Sequence, residues 1–150
     1  VGAVLFFFGP ELFRVAPGSQ SPSVSFRLLK EGTSANSIDE RVNYRIQDAT
    51  QLNELWSYLD AAPGTAPNVN FDKEEVLALF DGSHSTGGYS IAVDQITESD
   101  GTRTVHVVRI APGPNCMVSS AFTSPYQVIV VPKTPLFLTH KDITEVRDCI

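Results

Sequence analysis

Residues 80–113, FDGSHSTGGYSIAVDQITESDGTRTVHVVRIAPG, constrain the fold more than any other part of the chain. Asp100-Gly101 separates two runs that carry apolar residues, and Asp-Gly is the pair a tight hairpin turn favours because its centre needs φ > 0. The stretch therefore predicts a β-hairpin, entered through the glycine-rich loop Ser85-Thr86-Gly87-Gly88-Tyr89 and left through Pro112-Gly113-Pro114. Two adjacent glycines imply a backbone closed to other residues, or one that another group approaches closely. In the first strand Tyr89, Ile91 and Val93 share a face. The second strand is apolar on both faces and has no assignable inner side.

A hairpin needs a core, and the chain supplies one. At 150 residues it suits one domain, and 42% of its residues are apolar. Val24, Phe26 and Leu28 alternate with polar neighbours, as do Val42, Tyr44 and Ile46, so both segments read as half-buried strands that pair with each other. Val76–Phe80 and Tyr126–Val131 are continuous apolar runs, the pattern of strands covered on both faces. Cys116–Phe122 reads as a short strand, 135–138 as an edge segment, and Ile143–Cys149 as a last strand. Leu52, Leu55, Trp56 and Leu59 form one stripe at helical spacing. Asp48 with Gln51 gives a capping pattern ahead of them, and Pro63-Gly64 a stop. The reading is an α+β domain: a mostly antiparallel, curled sheet of about seven strands, with one amphipathic helix over about 49–61 packed on one face.

Residues 24–150 read as one domain behind a lead-in, 1–23, that is apolar and then rich in Pro and Ser. Val1–Phe8 is too short to span a bilayer, which takes ~20 residues. It fits the tail of a signal peptide or membrane anchor whose start is missing, and it equally fits an apolar segment packed on the domain.

The formal net charge of −6, with no run of Lys or Arg, argues against a nucleic-acid partner. Cys116 and Cys149 are the two cysteines, and neither sits in a C-x-x-C pair. In a short acidic domain they fit one disulfide in an oxidising compartment, worth at most about 3.8 kcal/mol by chain entropy. Two unrelated buried thiols are the alternative.

Little in the sequence points to a reaction. His84, His106 and His140 lack metal-ligand spacing, so no metal site is expected. His84 stands beside Ser85 and Thr86 with Asp81 nearby. Adjacent loop residues rarely face one another, however, and no nucleophile elbow is present. His84 reads as an exposed loop residue, and His106 as a strand residue satisfied by a neighbour. Gly87-Gly88 is followed by neither a lysine nor a helix, which argues against phosphate binding. No catalytic residue and no cofactor is expected. Trp56 reads as a core anchor of the helix.

Several segments occur in an order that carries a resemblance: Asn43-Tyr44-Arg45-Ile46, Leu55-Trp56, Phe71-Asp72, Val76–Phe80, Thr86-Gly87-Gly88-Tyr89-Ser90-Ile91, Pro112-Gly113-Pro114 with Cys116, and Pro125-Tyr126 with Val128–Pro132. Over about residues 40–150 the chain resembles the PrcB-type family, named for a subunit of a bacterial surface protease complex. The resemblance implies a non-enzymatic protein-binding module, secreted, periplasmic or otherwise of the bacterial cell envelope, that assists or stabilises a protease complex. It implies a protein partner, such as a protease, that meets Ser85, Thr86, Gly87, Gly88, Tyr89, Pro112, Gly113 and Pro114 or an edge strand. Many family members are lipoproteins, yet no lipobox cysteine stands near the start of this chain. A weaker similarity, to chagasin-like inhibitors with a T-T-G-Y-like loop, shapes the alternative: a protease inhibitor using the loop 83–89, with Tyr89 directed outwards.

Overall fold

A computed structural model describes residues 23–62 and 64–149. The lead-in read at 1–23 lies outside these residues, apart from Ser23. The elements are β1 (Arg27–Gly32), β2 (Val42–Ile46), α1 (Ala49–Trp56), β3 (Glu74–Phe80), β4 (Ser90–Ser99), β5 (Thr102–Pro112), β6 (Tyr126–Pro132) and β7 (Phe137–Arg147).

The strands form two sheets rather than one curled sheet. The first has four strands in the order β1-β6-β3-β2, and the second three in the order β4-β5-β7. The two apolar runs read from the sequence, β3 and β6, pair antiparallel at the centre of the first sheet. Their alternate residues bury into two separate cores, which is why both runs are apolar throughout. Val76, Ala78, Phe80, Tyr126, Val128 and Val130 pack with Leu52, Leu55 and Trp56 of α1. Leu77, Leu79, Ile129 and Val131 pack instead against Ile91, Val93, Ile96, Val105 and Val107 of the second sheet. The result is three layers: helix, sheet, sheet.

The hairpin forms as the Asp-Gly pair requires. Asp100 and Gly101 have φ of 52° and 76°, and β4 pairs antiparallel with β5 up to Ser99↔Thr102. The pairing slips between Val93 and Gln95. There the Val93 amide donates to Oε1 of buried Gln127 at 2.8 Å, a side-chain bond from the first sheet into the second.

Four expectations are corrected. β1 and β2 do not pair: β1 lies against β6 and β2 against β3, on opposite edges of the first sheet. Alternation shows that a strand has two unlike faces and does not show which strand lies beside it. The helix ends at Trp56 rather than near 61. Ser57, Tyr58 and Leu59 donate to carbonyls only three residues back, and the Ser57 hydroxyl also bonds the Glu54 carbonyl at 2.6 Å. The chain thus tightens out of the α-helix before Pro63-Gly64, while Leu59 stays buried. Residues 116–122 form a loop, not a strand. Finally, β7 absorbs the expected edge segment at 137–138, ends before Cys149, and pairs parallel with β5. A parallel pair needs a crossover. Here the chain crosses through β6 in the other sheet.

Candidate functional site

Both segments singled out from the sequence lie at one end of the second sheet, where β4 begins and β5 ends. Gly88 has φ of +96°, and a Cβ there would stand 2.8 Å from Pro112 Cβ and 3.0 Å from Val118 Cγ1. The second glycine is therefore needed twice: for its backbone conformation, and so that the T-G-G-Y loop can close onto the P-G-P loop.

The loop is tied down by its backbone. The Gly87 amide donates to the Ser119 carbonyl at 3.0 Å. His84 and Thr123 exchange amide-to-carbonyl bonds at 2.8 and 2.9 Å, and the Thr123 hydroxyl donates to the Thr86 carbonyl at 2.8 Å. Residues 113–122 are held in turn from the other side. The Gly113 amide donates to the Arg147 carbonyl at 2.8 Å, and a disulfide joins Cys116 to Cys149 with Cα atoms 4.7 Å apart. The disulfide read from the sequence is present. It ties the loop to the residues that follow β7.

Beneath the loop lies a polar cluster. Asp81, almost fully buried, directs one carboxylate oxygen to Arg109 Nε and the other to His84 Nε2, each at 2.6 Å. The ring of His84 stacks on that of Tyr89, parallel within 1° at a centroid distance of 3.7 Å. His84 is accordingly half-buried and paired, not the exposed loop residue expected of it. The arrangement positions a loop. Both oxygens of Asp81 are engaged, and among the described residues no hydroxyl is hydrogen-bonded to the His84 ring. His106, as its strand setting suggested, is met by the hydroxyl of Thr97 at 3.0 Å.

Gly87, Gly88, Pro112, Met117, Val118 and Cys149 contribute to a shallow cleft of about 270 Å³. Met117, which lines it, is fully exposed, and Phe122 further along the same loop is 82% exposed. Sequence reasoning missed both, because it assigned 116–122 to a strand. The available signal was the pairing of large apolar residues with a nearby cysteine in a segment without strand alternation. Pro114 lies in the same stapled loop, so all eight residues expected to meet a partner gather at this end of the molecule. Among the described residues no three His, Cys, Asp or Glu side chains gather to hold a metal ion, and no helix is long and apolar enough to cross a membrane.

The strands of the second sheet thus support a disulfide-stapled loop with exposed apolar side chains. Residues 76–132, from β3 through β6, match the family model described as PrcB C-terminal. The match takes in the T-G-G-Y loop, the P-G-P loop and Cys116, and is narrower than the stretch of about 40–150 over which the sequence resembles the family. No curated protein and no solved structure matches the chain.

Proposed function

We propose that this chain is a non-enzymatic protein-binding module of the bacterial envelope or secreted space, one that assists or stabilises a protease complex. The PrcB C-terminal match supports the association with a protease complex. The observation that carries the binding reading is the stapled loop 113–122, which presents Met117 and Phe122 to solvent from a rigid base. Large apolar side chains held exposed on a constrained loop are the usual anchors of an interface. The disulfide is consistent with an oxidising location. The inhibitor alternative is less well supported, because Tyr89 is half-buried and stacked on its own loop's His84 rather than directed outwards.

The test is a pull-down from envelope extract with the wild-type chain and a Met117→Ser/Phe122→Ser variant, both checked for folding by circular dichroism. A proteolytic activity retained by the wild type and lost by the folded variant is the expected result. Activity that rises or is unchanged in the captured fraction indicates a helper; activity suppressed by stoichiometric wild type indicates the inhibitor. Equal capture by both chains would remove the loop surface from the proposal.

A further inference from the structure

Away from the loop end, β2 is the outermost strand of the first sheet: among the described residues no strand pairs with its second edge. Its middle residues, Asn43, Tyr44 and Arg45, are exposed. A cavity opens on each face of this edge. One, of about 150 Å³, lies between β2 and β7 over Leu77, Leu79, Val105 and Leu138. The other, of about 440 Å³, lies between β2 and α1 and is bordered by Tyr44, Glu54, Leu55 and Tyr58.

We propose that the β2 edge accepts an extended peptide segment of a protein partner in which aliphatic and cationic side chains alternate. Successive side chains of a strand point to opposite faces. A strand added here sends one set toward the β7 side and the next toward the α1 side, the arrangement by which strand addition gains both affinity and specificity. The chemistry of the two cavities differs. The β7-side cavity is floored by aliphatic residues, and the cations beside it are already paired: Arg45 with buried Glu75 at 2.7 Å and Arg41 with Asp142 at 2.8 Å. It therefore suits one aliphatic side chain. On the α1 side Glu54 is exposed and has no ion-pair partner among the described residues, and the rings of Tyr44 and Tyr58 are more than a third exposed. An unpaired carboxylate in a cavity also lined by two exposed tyrosines suits a lysine or arginine.

The other edges are less open. β1 is broken by a bulge between Leu28 and Lys30, a device that protects edges. β4 is met by the Val24 amide, which donates to the Ile96 carbonyl at 2.8 Å. β7 carries Lys141, Asp142, Glu145 and Arg147 along its length, charges that guard an edge.

This inference rests on the protein-binding reading but uses a surface distinct from the stapled loop, so the two can fail separately. The probe is a short synthetic peptide, capped at both ends, with valine or leucine alternating with lysine or arginine, titrated into the isotope-labelled full chain and followed by amide resonances. Expected are shifts concentrated on 42–46 and around Glu54. Affinity should weaken about tenfold on Glu54→Lys, which reverses an exposed charge without touching the core. It should be lost when alternate peptide amides are N-methylated. Shifts confined to other surfaces, no binding at millimolar peptide, or indifference to Glu54→Lys would overturn it. So would protection from exchange in the free chain of the β2 amides that point away from β3: a concentration-dependent protection means a second copy occupies the edge, and an independent one means the chain's own residues do. A positive titration with equal pull-down by the loop variant leaves the edge standing and removes the loop; the reverse pattern does the opposite.

Discussion

The two sheets use the same strand chemistry under different cover. The four-stranded sheet is enclosed, with α1 on one face and the second sheet on the other, and the side chains of β3 and β6 are almost wholly buried. Among the described residues the three-stranded sheet is covered on one face only. Along β5 the inner Arg103, Val105 and Val107 are buried, while the intervening Thr102, Thr104, His106 and Val108 are half-exposed. The first sheet is thus the molecule's stability, and the second is a platform whose end carries loops. The loops add to their close contacts at Gly88 a set of ties: backbone bonds, one buried carboxylate and a disulfide. Damage to the first sheet should unfold the whole chain, whereas damage to the loop end should loosen a region.

The largest effect should come from Phe80→Ala. Phe80 is fully buried and its ring meets both Tyr44 and Tyr126. Truncating such a ring costs about 3–5 kcal/mol, a transfer loss plus a cavity. Thr104→Ala, on the open face of β5, should stay within about 0.5 kcal/mol. Urea titrations of the two variants check the contrast. Comparable losses would mean that the outer face of the second sheet is covered in solution.

Reducing the disulfide should come next. It closes a span of 33 residues in sequence, so up to about 3.8 kcal/mol is at stake by chain entropy. Amide exchange in reductant, at a temperature where the chain stays folded, should show faster exchange at Gly113 and Cys116 while Leu77 and Ile129 remain protected. Uniform loss of protection would show that the loop end and the core are one cooperative unit.

Gly88→Ala should cost about 1–3 kcal/mol, because alanine at φ of +96° is strained and its Cβ meets Pro112. Thermal melts measure the loss, and a folded Gly88→Ala chain should also show changed resonances at Val118 and Ser119. An unchanged melting temperature would mean that the two loops do not close on each other as described.

These contrasts also show what the sequence could disclose. Burial on two faces is written in composition, so β3 and β6 were legible as uninterrupted apolar runs, and the hairpin was legible because Asp100-Gly101 has few other uses. Sheet partners were not. Val42, Tyr44 and Ile46 alternate identically whether they meet β1 or β3, and nothing local states that β7 returns parallel to β5 by way of β6. The site was half legible. Glycines and prolines marked both loops because their backbone needs are unusual. The exposed Met117 and Phe122 were hidden, because an exposed apolar residue in a loop has the same letter as a buried one in a strand. The Asp81–Arg109–His84 cluster was hidden for another reason: its members are 28 residues apart at most, but only the fold turns them inward together.

The smallest expected effect tests the seam where the two sheets meet at their edges. Asp142 of β7 accepts from Arg41, just ahead of β2, at 2.8 Å, and from His140 at 2.8 Å. Burial acts to raise its carboxyl, but the bonds and charges of Arg41 and His140 outweigh that and hold it below the ordinary value. A carboxyl depressed in the folded chain binds protons more readily once unfolded. Its stabilisation is therefore complete above the unfolded value near pH 4, and fades as pH falls through the lower folded value. Asp142→Asn should then lower stability slightly at pH 7, by about 0.5–1 kcal/mol for a partly exposed pair, and leave the two chains converging as pH falls through the lowered folded value. Urea midpoints from pH 2.5 to 7 measure this. A difference that persists undiminished at the acid end would place the contribution of Asp142 in packing rather than charge, and the β2–β7 seam would then resemble the enclosed first sheet rather than the loops.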